Sequence, residues 1–416
     1  MRAVLVLGLA SHALAYTLMA AGGVSEAVST RQRARLTTMS TAAADATSSA
    51  SDAAAGTQAP LLVRAARGEK VEKTPVWMMR QAGRHMKVYR DLVSEYPTFR
   101  ERSETPEVSK AVSLQPWEAY GVDGVILFSD ILTPLPAMGV DFSISEAGGI
   151  TIDPIRTRDA FKRMTESGPF NPERDIPFVS SVLTELREAV GPSGATVLGF
   201  VGLPFTLGTY LVEGATGTKT GFAEFRALRE SDPELCRDIL SLVADNIAQY
   251  AIFQIDAGAQ VIQVFDSWAG HLTGDEFDEW AAPYQKKVVS AIKEQRPDVP
   301  VIIYMAPDTH SKNGQFLTRL AGSGADVVSV DHTIELSEAK RILAEGGYPT
   351  IGLQGNLDPA ILRDGTPEEI RAAADKILAA AGDTGHVMNL GHGIEATTPE
   401  PNAALFVNHV HDYKHA

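Results

Sequence analysis

The feature that most constrains the fold is a short apolar run that recurs eight times after Thr74. Each run is rich in β-branched or large apolar residues, and none alternates cleanly between apolar and polar positions. Such runs suit strands that are buried on both faces of a parallel sheet. The runs are residues 75–79, 122–128, 195–201, 259–265, 299–305, 325–330, 349–354 and 386–390.

Helix-like stretches separate these runs, and three of them carry end signals. Residues 231–258 begin with a serine cap and an early acid and end at a glycine, and residues 274–295 also have acids in the first turn. Residues 366–382 have a threonine cap, then a proline, and a glycine at the end. Eight strand–helix alternations predict an α/β fold, a single (β/α)8 TIM barrel. An open doubly wound sheet is the alternative, but no G-x-G-x-x-G fingerprint follows a strand.

The first 68 residues differ in composition from the rest and are predicted to be a disordered targeting leader. Residues 3–22 form a signal-like apolar stretch, followed by a segment rich in Ser, Thr, Ala and Arg. A two-part leader of this kind resembles those that carry proteins into plastids with extra bounding membranes. A transmembrane anchor is the alternative, which polar residues inside the apolar stretch disfavour. The barrel is therefore predicted to occupy residues 69–416, with no stable membrane span in the mature form.

The charge distribution favours an anionic small-molecule ligand. A formal net charge of −15 argues against a general nucleic-acid binder, because phosphate backbones favour basic surfaces. Loss of the leader, with six arginines and three acids, would take the charge to −18. Yet residues 80–90 contain three arginines, a lysine and a histidine and no acid. A local positive cluster on an otherwise repelling surface can attract and hold an anion.

Cysteine and histidine usage indicates a site without a metal. The single cysteine, Cys236, excludes a disulfide framework within the chain and a multi-cysteine metal site. It lies in an amphipathic helix pattern, which predicts an inert thiol. No zinc spacing such as H-E-x-x-H occurs, and no strand-end lysine suggests a Schiff base. The three histidines of the C-terminal tail are predicted to be exposed and incidental.

Polar residues follow the predicted strands at the end where barrel enzymes place their chemistry. Arg80 and Arg84 suit bidentate binding of carboxylates, although arginines at a strand end also form structural salt bridges. Asp130 either caps a helix or faces the pocket, and prolines at 134 and 136 delay any helix. Tyr210, like Phe205, either lies against a ligand ring or packs in the core. His392, between two glycines, is either structural or catalytic.

Two long segments resemble the signatures of the uroporphyrinogen decarboxylase family, which serves haem and chlorophyll biosynthesis. They are PVWMMRQAGR (75–84) and GFVGLPFTLGTYLVEG (199–214), and FSDILTPLPAMG, VFDSWAGHL, LQGNLDP and NLGHGI match further stretches in the same order. The resemblance runs from about Thr74 to Val410. It implies a single (β/α)8 barrel, a homodimer with facing clefts, and no metal or organic cofactor.

The resemblance also implies the reaction and the residues involved. The substrate would be uroporphyrinogen III, an octacarboxylate tetrapyrrole whose four acetate arms become methyls in coproporphyrinogen III. Substrate carboxylates would be bound by Arg80, Gln81 and Arg84, and Asp130 would accept hydrogen bonds from the pyrrole N–H groups. Tyr210, Ser267 and His392 would line the cleft, and Phe265 would pack on the ring. The catalytic residues implied are Asp130, Arg80, Tyr210 and His392.

The sequence departs from the family pattern in two places. The family often has a tryptophan where this chain has His332, and commonly a glycine-rich stretch where this chain has residues 306–314. Two other functions stay open. A zinc- and corrinoid-dependent methyltransferase of the same barrel superfamily would need a cluster of thiolate and imidazole ligands. A tetrapyrrole carrier would keep the cleft without turnover.

Overall fold

Seven parallel strands follow one another in chain order around a curved sheet. They belong to a computed structural model that describes residues 58–145, 149–166, 168–217, 220–307 and 314–415. The sheet order is β1-β4-β5-β6-β7-β8-β9, and β2 and β3 form a separate antiparallel pair. The strands are β1 (Gly124–Ile126), β2 (Phe142–Ile144), β3 (Ile150–Ile152), β4 (Thr196–Gly202), β5 (Val261–Phe265), β6 (Val301–Tyr304), β7 (Val327–Ser329), β8 (Gly352–Gln354) and β9 (His386–Val387).

The first apolar run joins the two ends of this sheet and completes the barrel. Val76 forms a parallel bridge with Met388, just beyond β9. The Met388 amide donates to the Pro75 carbonyl at 2.8 Å, and the Asp123 amide, just before β1, donates to the Val76 carbonyl at 2.8 Å. The eight predicted runs therefore lie in the predicted order around one ring. The (β/α)8 prediction is confirmed.

Helices cover the outside of the ring between successive strands. Across the described residues these are α1 (Leu61–Ala66), α2 (Lys87–Val93), α3 (Phe99–Glu104), α4 (Pro106–Tyr120), α5 (Arg158–Glu166), α6 (Pro172–Asp175), α7 (Phe178–Val190), α8 (Pro204–Glu213), α9 (Ala223–Ser231), α10 (Pro233–Asp256), α11 (Gly274–Trp280), α12 (Ala282–Gln295), α13 (Leu317–Ala321), α14 (Leu336–Glu345), α15 (Pro359–Asp364), α16 (Pro367–Ala381) and α17 (Glu400–Asp412). None of the helices described is both long enough and apolar enough to cross a membrane.

Helix ends follow the predicted signals in part. Helix α16 has the predicted threonine cap, which forms a reciprocal capping box with Glu369. The cap of α10 is Asp232, whose side chain accepts from the Leu235 amide at 3.0 Å, and not the serine before it. The single helix predicted over residues 274–295 is two helices, because Pro283 has no N–H to continue the hydrogen-bond ladder of α11.

The barrel begins before residue 69, so the predicted boundary of the leader is wrong. The compact unit starts at Ala59. The residues of α1 pack against residues near the amino-terminal ends of the strands. Leu62 is fully buried beside Trp77 and Leu198. Burial of this helix closes the barrel at the end opposite the strand carboxyl termini. The rest of the predicted leader, residues 1–57, lies outside the described residues.

The C-terminal histidines are not incidental. The imidazole of His409 contacts the Asp375 carboxylate at 2.7 Å, and that of His411 contacts the Asp123 carboxylate at 2.7 Å. His415 hydrogen-bonds the Thr74 hydroxyl at 2.9 Å. His411 and His415 thus reinforce the seam where the first run closes the ring, and His409 ties the C-terminal helix to α16.

Candidate active site

Arg80 stands at the end of the first run in an unusual backbone conformation. Its φ is 61°, in the left-handed region that costs a non-glycine residue about 1–3 kcal/mol. Hydrogen bonds on the preceding residues hold it there: the Met78 amide donates to Gln81 Oε1 at 3.0 Å, and the Met79 amide donates to Asn389 Oδ1 at 2.8 Å. Such strain persists only where the surroundings enforce it, which marks Arg80 as a residue with a required position.

Gln81 has a different role from the predicted one. Its side chain is fully buried, and its Nε2 donates to the Gly124 carbonyl at 2.9 Å while its Oε1 accepts from Met78. Both ends of the amide are therefore occupied inside the protein. The expectation that the Gln81 side chain binds a substrate carboxylate is wrong, because these internal hydrogen bonds use both ends of its amide. It fixes the Arg80 loop against β1.

The two arginines of this loop are exposed cations. The side chains of Arg80 and Arg84 form no hydrogen bond or ion pair with any other described residue. The Arg80 side chain lies across Gly393, where an added Cβ would come within 2.5 Å of its Cδ. The alternative of structural salt bridges is therefore not observed for either arginine.

Asp130 holds a turn and does not cap a helix, because residues 131–135 form turns. Its Oδ1 accepts from the Leu132 amide at 2.8 Å and so holds the turn that follows β1. Its Oδ2 has no hydrogen-bond partner within the described part of the chain. Burial raises the pKa of Asp130, and the Leu132 amide and Arg80 partly oppose this shift. One oxygen of a poorly solvated carboxylate is thus available to a donor or a cation.

Tyr210 lies on α8 within electrostatic reach of Asp130. Burial raises the pKa of Tyr210 to about 12, and the charge of Asp130 contributes to the shift. The tyrosine ring is 5.7 Å from that of Trp268. Phe205, by contrast, is 2% exposed and packs 5.2 Å from Phe225, so it belongs to the core.

Asp266 orients α8 through its buried carboxylate. This residue is not among the site residues predicted from the sequence. Asp266 Oδ1 accepts from the Thr206 amide at 2.9 Å and from its hydroxyl at 2.7 Å, and Oδ2 accepts from Gln285 Nε2 at 2.8 Å. Burial raises the pKa of Asp266 to about 6. The same turn continues into Ser267, which is half-buried. Only the fold could reveal this anchor, because aspartates after strands look alike in sequence.

Aromatic rings lie side by side where β4, β5 and β6 end. Phe265 is paired in register with Tyr304, and their ring centroids are 5.8 Å apart in an edge-to-face arrangement. The Phe265 ring also contacts Phe200 at 5.9 Å. Phe265 is the half-buried member of β5. Part of its ring therefore faces the end of the barrel formed by the carboxyl termini of the strands, which we call the mouth.

The segment Gly391-His392-Gly393 is enclosed by two neighbours. A Cβ on Gly391 would lie 2.2 Å from the His332 backbone nitrogen, and a Cβ on Gly393 would collide with Arg80. Burial lowers the pKa of His392, and the nearby charge of Arg80 lowers it further. The two glycines therefore allow His392 to sit between an arginine and a second histidine.

We expect Gly393→Ala to impair substrate binding without unfolding the protein. The new methyl group would displace the Arg80 side chain, so the KM should rise several-fold. Gly191→Ala is the matched control, because a Cβ there meets only Arg187 Nη1 at 3.6 Å. Steady-state kinetics and thermal melting of both variants test this expectation. Wild-type KM in Gly393→Ala would contradict the placement of Arg80.

No group of three or more His, Cys, Asp or Glu side chains is placed to hold a metal ion in the described ranges. Cys236 is fully buried in α10, and burial raises the pKa of its thiol to about 12. A thiol in that state is a poor nucleophile and a poor metal ligand.

Four of the predicted residues converge on one mouth. Arg80 lies close enough to influence the pKa values of Asp130, Tyr210 and His392. A free guanidinium, a half-used carboxylate, a phenol and an imidazole thus share one cleft at the carboxyl ends of the strands. Such a site can bind carboxylates and stabilise a positive charge that develops on a ligand.

Comparisons with known proteins agree on one family. A family model described as uroporphyrinogen decarboxylase (URO-D) matches residues 57–413. The uroporphyrinogen decarboxylase of Parasynechococcus marenigrum (strain WH8102) is 51% identical over 348 residues, which cover 83% of this chain and 94% of the relative. That of Prochlorococcus marinus (strain NATL1A) is 49% identical over the same shares. A methyltransferase from Methanosarcina mazei shares the fold, with a TM-score of 0.66 at 21% identity over 85% of this chain and 98% of that chain.

Proposed function

The chain belongs to the uroporphyrinogen decarboxylase family, and from this premise we propose that it removes CO2 from the four acetate arms of uroporphyrinogen III to give coproporphyrinogen III. Like its relatives, it is a carboxy-lyase. The observation that best supports this location for the reaction is that Arg80, which has no ion-pair partner among the described residues, lies near Asp130. The substrate is an octacarboxylate, and this mouth presents free cations on a protein of net charge −15.

The reaction needs an electron sink, and a pyrrole ring can supply one. Protonation of the ring carbon beside the acetate-bearing carbon makes a cationic ring, which accepts the electron pair left when CO2 departs. A second proton then adds to the exocyclic CH2 group and the ring carbon releases the first, so that one H⁺ replaces each CO2 and a methyl group remains. We propose that Asp130 stabilises this cation with the oxygen that Leu132 does not use. Opposite charges about 4 Å apart gain about 4 kcal/mol at an effective dielectric constant near 20. Felt only in the transition state, that is about a thousandfold in rate.

The remaining residues bind and orient the substrate in this proposal. Arg80 and Arg84 hold carboxylate arms, since both are exposed and free of ion pairs with other described residues. Tyr210 and His392 line the cleft near Arg80. Ser267 and Phe265 complete the wall, with the Phe265 ring against the macrocycle.

An anaerobic assay of residues 58–416 with uroporphyrinogen III tests the function. We expect coproporphyrinogen to accumulate without added metal or organic cofactor. Recovery of the octacarboxylate alone would refute the proposal. Tight binding with no turnover would favour a carrier, and stoichiometric zinc in the purified protein would favour a methyltransferase.

We also propose that the residues before Ala59 direct the protein into a plastid. The apolar stretch at residues 3–22 and the acid-poor segment after it support this, as does a compact unit that starts at Ala59. A fluorescent protein fused behind residues 1–58 should enter plastids with extra bounding membranes. Fluorescence that stays in the cytosol would refute the proposal, and deletion of residues 3–22 is the control.

We propose, finally, that the protein is a homodimer. The family resemblance supports this assembly, in which two clefts face each other. Sedimentation of residues 58–416 should give twice the mass of the chain, and a monomer at micromolar concentration would contradict it.

A further inference from the structure

His332 lies at the tip of a fixed turn after β7. Asn356 Nδ2 donates to the Asp331 carbonyl at 2.8 Å and to the Ile334 carbonyl at 2.7 Å. The Asp331 carboxylate in turn accepts from the Thr333 amide at 2.7 Å. These bonds span both sides of His332, so its position is determined before any ligand arrives.

The turn places the His332 imidazole in the mouth beside His392. The His332 backbone packs directly on Gly391. The charge of His332 lowers the pKa of His392, as the charge of Arg80 also does. The Nδ1 atom of His332 is buried without a hydrogen-bond partner, whereas Nε2 is neither buried nor bonded to a described residue. One ring nitrogen is therefore available to a ligand.

The acids around this group are engaged in part by other residues. Glu395, which acts on His392, forms an ion pair with Arg363. Asp331 Oδ1 accepts from the Thr333 amide, and the charge of Asp130 interacts with that of Arg80. Arg80, His332 and His392 therefore put three nitrogen-bearing side chains close together. A carboxylate of the ligand can accept hydrogen bonds from them.

We propose that His332 is a further substrate-binding residue, which together with Arg80 and His392 receives one carboxylate arm of the porphyrinogen. This inference rests on the proposed function. The arm concerned is not the acetate arm that loses CO2 while the substrate is bound in this orientation. A contact made equally in the ground state and the transition state changes KM and leaves kcat alone.

His332→Ala and His332→Gln in the full-length chain test the inference, with His409→Gln as the matched control. His409 contacts Asp375 on the outer surface and has no place in the mouth. We expect KM for uroporphyrinogen, and Kd for the unreactive oxidised uroporphyrin, to rise about tenfold in His332→Ala, as for the loss of one hydrogen bond to a charged group. The turnover number should stay within about twofold of wild type, and His332→Gln, which keeps a donor, should recover part of the affinity.

The outcomes separate this inference from the proposed function. Unchanged KM and Kd in His332→Ala, with an active wild type, would overturn the role of His332 and leave the function intact. A collapse of kcat with KM unchanged would also overturn it, since a binding residue does not act that way. If the wild type bound uroporphyrin through His332 but did not turn over, the function would fail and the carboxylate site would stand.

Discussion

Asp130→Asn is expected to lower the turnover number about a thousandfold. The substitution keeps the acceptor for the Leu132 amide and therefore the turn after β1, but it removes the negative charge. The cationic ring formed during decarboxylation would then lose its counter-ion, which is worth about 4 kcal/mol at about 4 Å and an effective dielectric constant near 20. Anaerobic single-turnover kinetics with uroporphyrinogen measure the loss directly.

Two comparisons make the result specific to charge. Arg90→Ala should cost less than about tenfold, because among the described residues the Arg90 side chain donates only to the Arg84 and His85 carbonyls of the loop. Asp130→Asn should unfold at the same or a higher temperature than the wild type, since burial makes the ionised carboxylate unfavourable in the empty protein. Similar losses of rate in both variants would show that Asp130 does not meet the charged intermediate.

Deletion of residues 1–68 is expected to destabilise the barrel severely, whereas deletion of residues 1–57 should leave it intact. The longer deletion removes α1, in which Leu61, Leu62 and Val63 are buried. Burial of each large apolar side chain contributes about 1.5–3 kcal/mol, so the loss is on the order of 5 kcal/mol. The total stability of a protein is about 5–15 kcal/mol, so this loss is a large fraction of it.

Thermal melting distinguishes the two truncated chains. At about 2–4 °C per kcal/mol, the chain that starts at Glu69 should melt about 10 °C lower or fail to stay soluble. Leu62→Ala in the longer chain is the milder control and should cost about 2–5 kcal/mol. Equal melting temperatures of the two truncated chains would mean that α1 does not belong to the core.

The boundary at residue 69 shows where composition misleads. Residues 61–66 read LLVRAA, which has the same apolar and arginine-rich character as a targeting segment. What makes it part of the fold is the set of distant residues that enclose it, such as Val261 and Ile302. Such contacts leave no local signal. The strands, by contrast, were predictable because a strand buried on both faces requires a continuous apolar run.

The active site likewise has some features that local sequence predicts and others that depend on distant contacts. Arg80, Asp130, Tyr210 and His392 could be placed together because each follows a strand or its loop, and parallel strands bring those ends to one face. Gln81 was wrongly assigned because its amide is buried and bonded to the Met78 amide and the Gly124 carbonyl, which no spacing rule reveals. His332 entered only as a departure from a family pattern, since its approach to Gly391 depends on the register of β7 and β9 around the ring.

The enclosure of the Gly391-His392-Gly393 segment limits how this cleft can evolve. Neither glycine can acquire a side chain while its neighbour stays in place, because one position faces the His332 backbone and the other the Arg80 side chain. A descendant that changed position 393 would need a compensating change at position 80, the residue on which substrate capture depends. Substitutions at positions 393 and 80 are therefore expected to occur together or not at all.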